Sequence, residues 1–178
     1  SVSRGLGDVY KRQVVSAAFS YHVPATTSIE DKIPYALTEP LACTVRGIYE
    51  RIAVKSEDTA VVSGPGVMGL MALQVLKSRG AHVILSGLPQ DQERLALGKQ
   101  LGADETVSSL PELRSAVYRR NSLGADITCD TTGVPASLKT CLEVTRPLGV
   151  HLQIGMFGTP VTLSLDSLME QELSLIHI

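Results

Sequence analysis

Residues 59–80 restrict the fold more than any other stretch. They read as an apolar strand, TAVVS, a glycine turn, and a mostly apolar helix, VMGLMALQVLKSRG. The turn is Gly64-Pro65-Gly66-Val67-Met68-Gly69, a GxGxxG. The pattern alone is weak; between a strand and a helix it has a mechanical meaning. Gly64 permits a tight exit from the strand. Gly66 lacks a side chain, so a pyrophosphate can approach the backbone. Gly69 allows the helix to lie close on the strand. The N–H groups near Val67 and Met68 then face a phosphate with the positive end of the helix dipole. The expected ligand is a dinucleotide.

The alternation continues downstream. HVILS (82–86), ETV (105–107), ADITCD (125–130) and GVHLQIG (149–155) read as strands. DQERLALGKQLG, PELRSAVYRR and PASLKTCLEVT read as the helices between them. Lys77, Arg79 and Gly80 suit the end of the helix after the glycine turn, and Asp91 the start of the next. Strands alternating with helices imply right-handed crossovers and a parallel sheet covered on both faces. The fold class is α/β, a doubly wound parallel sheet of Rossmann type.

The tip of the second strand bears on the choice of dinucleotide. An acid about 20 residues after the turn ordinarily binds the adenine-ribose 2′-OH of NAD. Ser86, Gly87 and Leu88 occupy that place, and Arg94 lies on the next helix. The reading leans to NADP over NAD, with Gly87 and Arg94 as candidate cofactor residues. The alternative is a loop glycine and a solvated charge. CDTTG (129–133) and IGMFG (154–158) end two further strands, where open sheets bind ligands, so Thr132, Gly155 and Met156 are candidates for the nicotinamide side.

Composition narrows the partners. A net charge of −2 gives no reason to expect nucleic acid. No apolar run approaches the roughly 18 residues of a membrane span. Cys43, Cys129 and Cys141 show no CxxC spacing, which suggests a reducing, cytoplasmic compartment. With no Trp and two Phe, the core must be aliphatic.

Residues 14–58 lack this regular alternation. VVSAAFSYHVP suggests a short strand ending at Pro24. Thr27 or Ser28 suits a helix cap, with Glu30 and Asp31 in the first turn. From Pro40, Leu41, Val45, Ile48 and Ile52 recur at helical spacing. Residues 1–13 and 173–178 resemble translated adaptor sequence and are expected to be non-native tails outside the fold. This divides the chain into 14–58, a connecting region, and 59–172, the dinucleotide-binding domain.

The string EPLACTVRGIYE, followed by DTAVVSGPGVMGLMALQVLKSRGAHVILSG, resembles the zinc-dependent medium-chain alcohol dehydrogenases, most of all their sorbitol and threonine dehydrogenase branch. The resemblance runs from about residue 16 to 172. It implies a remnant of a mostly β catalytic domain at the N-terminus and a sheet lacking its last strand. It also implies hydride transfer between NAD(P) and a small secondary alcohol, polyol or amino alcohol polarised by zinc. The EPL motif implies that Glu39 supplies a carboxylate to that zinc, a metal and catalytic role; a helix-start carboxylate is the plainer reading. The other zinc ligands of the family have no match here, so the chain itself is expected to be inactive. A homo-oligomer is implied for the full-length protein. No tyrosine is followed four residues on by lysine, which excludes a short-chain dehydrogenase. A nucleotide-binding redox sensor without chemistry is the alternative.

Overall fold

The structure, a computed structural model, describes residues 16–23, 28 and 30–177. The chain divides into two compact units, Ser1–Leu37 and Thr38–Ile178.

In the first unit the expected strand is absent among the described residues. Ala17–Phe19 form a 3-10 turn instead. Ser16 accepts the Phe19 N–H on its carbonyl (3.1 Å), a local bond that competes with an extended ladder. Glu30–Leu37 form a second 3-10 stretch with Pro34 inside it. Ser28 caps it, its hydroxyl accepting the Asp31 N–H at 3.1 Å; Thr27 lies outside the described residues. Pro34 and Pro40 cannot donate to a sheet. The strand expected over 14–24 is therefore replaced, among residues 16–23, by a 3-10 turn, while the helical reading of the stretch from Ser28 onward appears as helical turns.

The second unit opens with α1 (Thr38–Val45), with Pro40 in its first turn, where a missing N–H costs little. A π-helical turn, Arg46–Arg51, extends it. Of the apolar stripe read from the sequence, Leu41 and Val45 are exposed, while Ile48 is buried together with Thr44. The alternating segment comes next as β1 (Thr59–Ser63), α2 (Val67–Ser78), β2 (His82–Ser86), α3 (Gln92–Gln100), β3 (Glu105–Val107), α4 (Leu110–Arg120), β4 (Ala125–Asp130), α5 (Pro135–Val144), β5 (Thr145–Gln153), α6 (Leu165–Glu170) and β6 (Ser174–His177).

The six strands form one sheet in the order β3-β2-β1-β4-β5-β6. Every neighbouring pair is parallel. Side chains alternate between its faces as the two-residue period requires. Ala60, Val62, Val83 and Leu85 pack with Leu73 and Leu76 of α2. Val61 and Ile84 pack with Leu113 and Val117 of α4 and Val144 of α5. Both faces are thus covered by helices, and strand order reverses between β1 and β4, where such sheets open a crevice.

Contrary to the sequence-based expectation, the sheet does not lack its last strand. Residues 174–177, expected to lie outside the fold, pair with β5, Val150 facing Ser174 and Gln153 facing His177. Ile176 packs on the core, and a strand at this edge satisfies backbone groups of β5 that would otherwise stay unpaired.

Candidate functional site

The site forms where the carboxyl ends of β1, β2 and β4 release the chain. Each ladder runs one residue beyond its strand: Gly64 N–H donates to Ser86 O (2.9 Å), Gly87 to Val107 O (3.0 Å) and Thr131 to Ser63 O (3.0 Å). The glycine turn then enters α2. Gly66 is its N-cap at φ −81° and ψ −175°, extended backbone that any residue adopts. A Cβ built on Gly66 meets nothing within 4 Å, so the space beside it is open. A Cβ on Gly69 would lie 1.8 Å from the Gly64 carbonyl oxygen. That contact is the close approach of helix to turn expected of the third glycine. Val67 is exposed and α2 carries no acid in its first turn, so the helix itself sets no carboxylate against an anion there.

The loops after β4 and β5 interlock beside this turn. A Cβ on Gly155 would fall 2.2 Å from Gly133 N, and one on Gly133 2.2 Å from Met156 O. Here the glycines let two backbones touch. Met156, 90% exposed, stands at the rim. Thr131 donates its hydroxyl to Ser63 O (2.8 Å), tying the β4 loop to the end of β1.

Beneath the loops lies a polar network that the sequence pattern does not announce. Asp130 is fully buried. Its Oδ1 accepts the Thr132 N–H (2.8 Å), the Thr132 hydroxyl (2.7 Å) and the Ser137 hydroxyl (3.0 Å). Its Oδ2 accepts from Gln153 Nε2 (3.0 Å), which also donates to Gly155 O (2.8 Å). The Gln153 oxygen therefore faces His151 Nε2 (3.0 Å), so that nitrogen is the donor, and Nδ1 accepts the Thr128 hydroxyl (2.8 Å). Burial holds the His151 pKa below its ordinary value, partly offset by the bond to Gln153 and the charge of Asp130. One carboxylate thus fixes the β4 loop, the start of α5 and the β5 loop together. Only its place at the end of a strand could have flagged Asp130.

At the tip of β2 the arrangement departs from the sequence reading. Gly87 is tightly packed: an added Cβ would sit 3.0 Å from Pro65 Cγ, 3.2 Å from Leu95 Cδ2 and 3.3 Å from Asp91 Cβ, so these side chains would have to give way slightly. Asp91 does not cap α3 through its side chain. It turns back, and its Oδ2 accepts the Leu88 N–H at 3.0 Å. A carboxylate therefore does stand at the strand-two tip, against the premise of the NADP reading. Arg94 reaches toward this carboxylate, Nη1 3.6 Å from Asp91 Oδ1, with its side chain 66% exposed. The signal for Asp91 was its distance from the turn, close to the usual spacing of the ribose acid.

The carboxyl ends of β1, β2 and β4 border a pocket of about 380 Å³ with Gly64, Ser86, Gly87, Asp91, Ser108 and Thr132 among others; turn residues 66–69, Arg94, Gly155 and Met156 lie outside its border. A larger hollow of about 640 Å³ runs along α5, past Lys139 and Glu143 to Leu168 and Leu173. It touches no residue of the glycine turn, whereas the smaller pocket borders Gly64 and Thr132, so the smaller pocket is the candidate site.

Glu39 lies apart from this pocket, exposed on α1. Its Oε1 accepts the Cys43 thiol at 3.6 Å, one turn on. Burial, then the bond to Glu39, pushes the Cys43 thiol pKa up. Among the described residues no group of three His, Cys, Asp or Glu is placed to hold a metal. Typical zinc sites use at least three protein ligands. The described residues therefore do not compose a zinc site. Cys129 and Cys141 are buried and unreactive, their thiols pushed well up by burial first and by the Asp130 charge second. No helix among the described residues is long and apolar enough to cross a membrane.

Comparison with known proteins agrees with this geometry. The family described as "Zinc-binding dehydrogenase" matches residues 67–178. D-arabitol-phosphate dehydrogenase of Enterococcus avium is 35% identical over 79% of this chain and 41% of its own length. Sorbitol dehydrogenase of Halalkalibacterium halodurans is 34% identical over 88% of this chain and 45% of its own. The crystal structure of L-idonate 5-dehydrogenase from Escherichia coli K-12 superposes with a TM-score of 0.68 and 29% identity, over 80% of this chain and 40% of that one; the full name of that enzyme includes NAD(P)(+). The chain spans less than half the length of these relatives.

Proposed function

This chain belongs to the zinc-binding dehydrogenase family, and from that premise we propose that it is the dinucleotide-binding part of an oxidoreductase. The whole protein would exchange a hydride between NAD(P) and a small secondary alcohol or polyol. The observation that carries this reading is the open space at Gly66 over the start of α2, at the strand-order switch of a parallel sheet.

The bound nicotinamide would supply the chemistry, accepting or returning a hydride at its ring. The chain's own residues bind and orient. The first N–H groups of α2, at Val67 and Met68, offer unshared donors to a pyrophosphate, and Gly66 leaves it room. Gly64 and Gly69 hold that turn against β4 and α2. Thr132, Gly155 and Met156 form the ledge for the nicotinamide end, and Asp130 fixes its shape through four hydrogen bonds. Fixing the ledge in advance favours a near-attack geometry for hydride transfer. Zinc is a property of the family; within this chain Glu39 is the one carboxylate proposed to serve it, and no step of the binding function runs through the metal. We assign residues 59–177 to the dinucleotide-binding domain and 38–58 to the connection that precedes it.

NADH fluorescence tests the reading, because the chain has no tryptophan to interfere. Titrating the chain into NADH should give a saturable change that ADP-ribose competes away. A folded chain that binds neither would overturn the proposal.

A further inference from the structure

Resting on the dinucleotide reading, we propose that Gln153 is a positioning residue for the nicotinamide half of the cofactor: oriented by His151, it ties the Asp130 carboxylate to the Gly155 carbonyl and so sets the ledge after β5.

Gln153 and His151 are unusual residues for their place. They point to the same face of β5, at the two-residue period of a strand, and both are buried. Apolar side chains would need no partners there, whereas an amide and an imidazole must each find them. They find them in one directed chain. Asp130 Oδ2 (3.0 Å) and Gly155 O (2.8 Å) can only accept, so the Gln153 nitrogen faces both. Its oxygen is left to accept from His151 Nε2 at 3.0 Å, and His151 Nδ1 accepts the Thr128 hydroxyl at 2.8 Å. The imidazole thus decides which end of the amide points at Gly155.

The two oxygens of Asp130 serve different parts of the site. Oδ1 takes the Thr132 N–H and the hydroxyls of Thr132 and Ser137. Both of those residues border the pocket of about 380 Å³. Oδ2 takes Gln153, and Gln153, Gly155 and Met156 lie outside that border. The Ile154 and Gly155 N–H groups already donate to Asp130 O, each at 2.9 Å. With the Gly155 carbonyl held by Gln153, the peptide units on both sides of Gly155 are fixed before a ligand arrives. Releasing Gln153 frees the ledge and leaves the pocket side of the carboxylate in place.

Asp130→Asn separates positioning from stability. Oδ1 faces three donors, so the new amide keeps its oxygen there and puts its nitrogen in the place of Oδ2. Gln153 then presents its oxygen to that nitrogen and its own nitrogen to His151 Nε2. His151 takes the other tautomer and donates from Nδ1 to Thr128. The Thr128 hydroxyl donates to Thr145 (2.8 Å), which donates to Cys141 O (2.7 Å). Every contact of the chain stays bonded except the one to Gly155, whose carbonyl now meets an oxygen.

The test is calorimetric titration of the whole chain with NADH and with ADP-ribose, which lacks the nicotinamide, for wild type, Asp130→Asn and Gln153→Met. Wild type should bind NADH more tightly than ADP-ribose. In both variants that advantage should shrink about five- to tenfold, the equivalent of one hydrogen bond. Asp130→Asn should do so with a denaturation midpoint close to that of wild type. Gln153→Met leaves three buried groups unpaired; should it fail to fold by circular dichroism, Asp130→Asn decides alone. Equal losses of NADH and ADP-ribose affinity in Asp130→Asn would make the network a prop of the whole site. An unchanged advantage would disconnect it from the nicotinamide. An Asp130→Asn chain that does not fold would show that the chain of bonds cannot reverse as assigned, and wild type binding NADH no more tightly than ADP-ribose would leave the ledge without a ligand. Each of these overturns the proposal while the dinucleotide reading stands on wild-type binding. Folded wild type that binds neither ligand removes that reading and this inference with it.

Discussion

At the turn after β1, a side chain added to Gly66 would meet nothing within 4 Å; at the tip of β2, one added to Gly87 would press on Pro65, Leu95 and Asp91. In sequence the two residues look alike, each a glycine just past a strand. In the fold one leaves space for a ligand and the other is packed from three sides. Gly69, three residues after Gly66, belongs with the packed kind. A glycine near a ligand site is therefore not evidence of room for the ligand; what surrounds the missing Cβ decides.

Three substitutions test that contrast, and a fourth tests the network beneath it. Gly69→Val has the largest expected effect. Its Cβ would overlap the Gly64 carbonyl, which belongs to the backbone and cannot yield as a side chain would. A cost above about 3 kcal/mol is expected, a large share of the stability of a typical domain. Chemical denaturation measures it; a variant as stable as wild type would break the account of how helix and turn pack. Gly66→Val should leave the fold intact, with loss of at most about 1 kcal/mol from the poorer N-cap. Dinucleotide affinity should fall by at least about a hundredfold as phosphate hydrogen bonds are lost. Calorimetric titration distinguishes this from unfolding. Gly87→Ala is smaller again, about 1 kcal/mol of overpacking, read as a modest drop in melting temperature; no drop would mean that the strand tip is looser than its contacts indicate.

The fourth prediction is the smallest. His151 is buried neutral, with its pKa lowered by burial first. The unfolded chain titrates near the ordinary value of about 6.5. Between that value and the lower folded one, the unfolded state binds more protons, so stability is complete above about pH 6.5 and is lost as pH falls through the folded pKa. Denaturation midpoints at several pH values between 7 and 5 should fall for wild type and fall less for His151→Gln. Equal slopes would show that the imidazole does not titrate differently on folding.

The alternation from Thr59 onward is legible in the sequence because buried parallel strands are continuous apolar runs and their helices end in glycine or cations. All five expected strands, from TAVVS to GVHLQIG, appear in the sheet, the last over Thr145–Gln153. The sixth is hidden: SLIH is four residues long and sits in a stretch that looks like a tail, although Ile176 packs on the core. The stretch before β1 misleads for the opposite reason. VVSAAF has strand-like residues, but Ser16 satisfies nearby amides locally. The glycine turn is legible because each glycine has a separate steric task. Asp91 carries a spacing signal, about 20 residues past the turn, but its sequence position also suits a helix cap, and the fold turns it to the pocket's border. Asp130, Gln153 and His151 come from two strands and meet only once β4 and β5 pair.

Amide hydrogen exchange of the chain with and without NADH is the most direct test of the claim that the β1 turn and the β2 tip form one dinucleotide site. NADH should slow exchange at residues 64–70, 86–91 and 131–134, and leave the hollow along α5 and residues 160–173 unchanged. Protection confined to that hollow, or no protection anywhere in a folded chain, would contradict it.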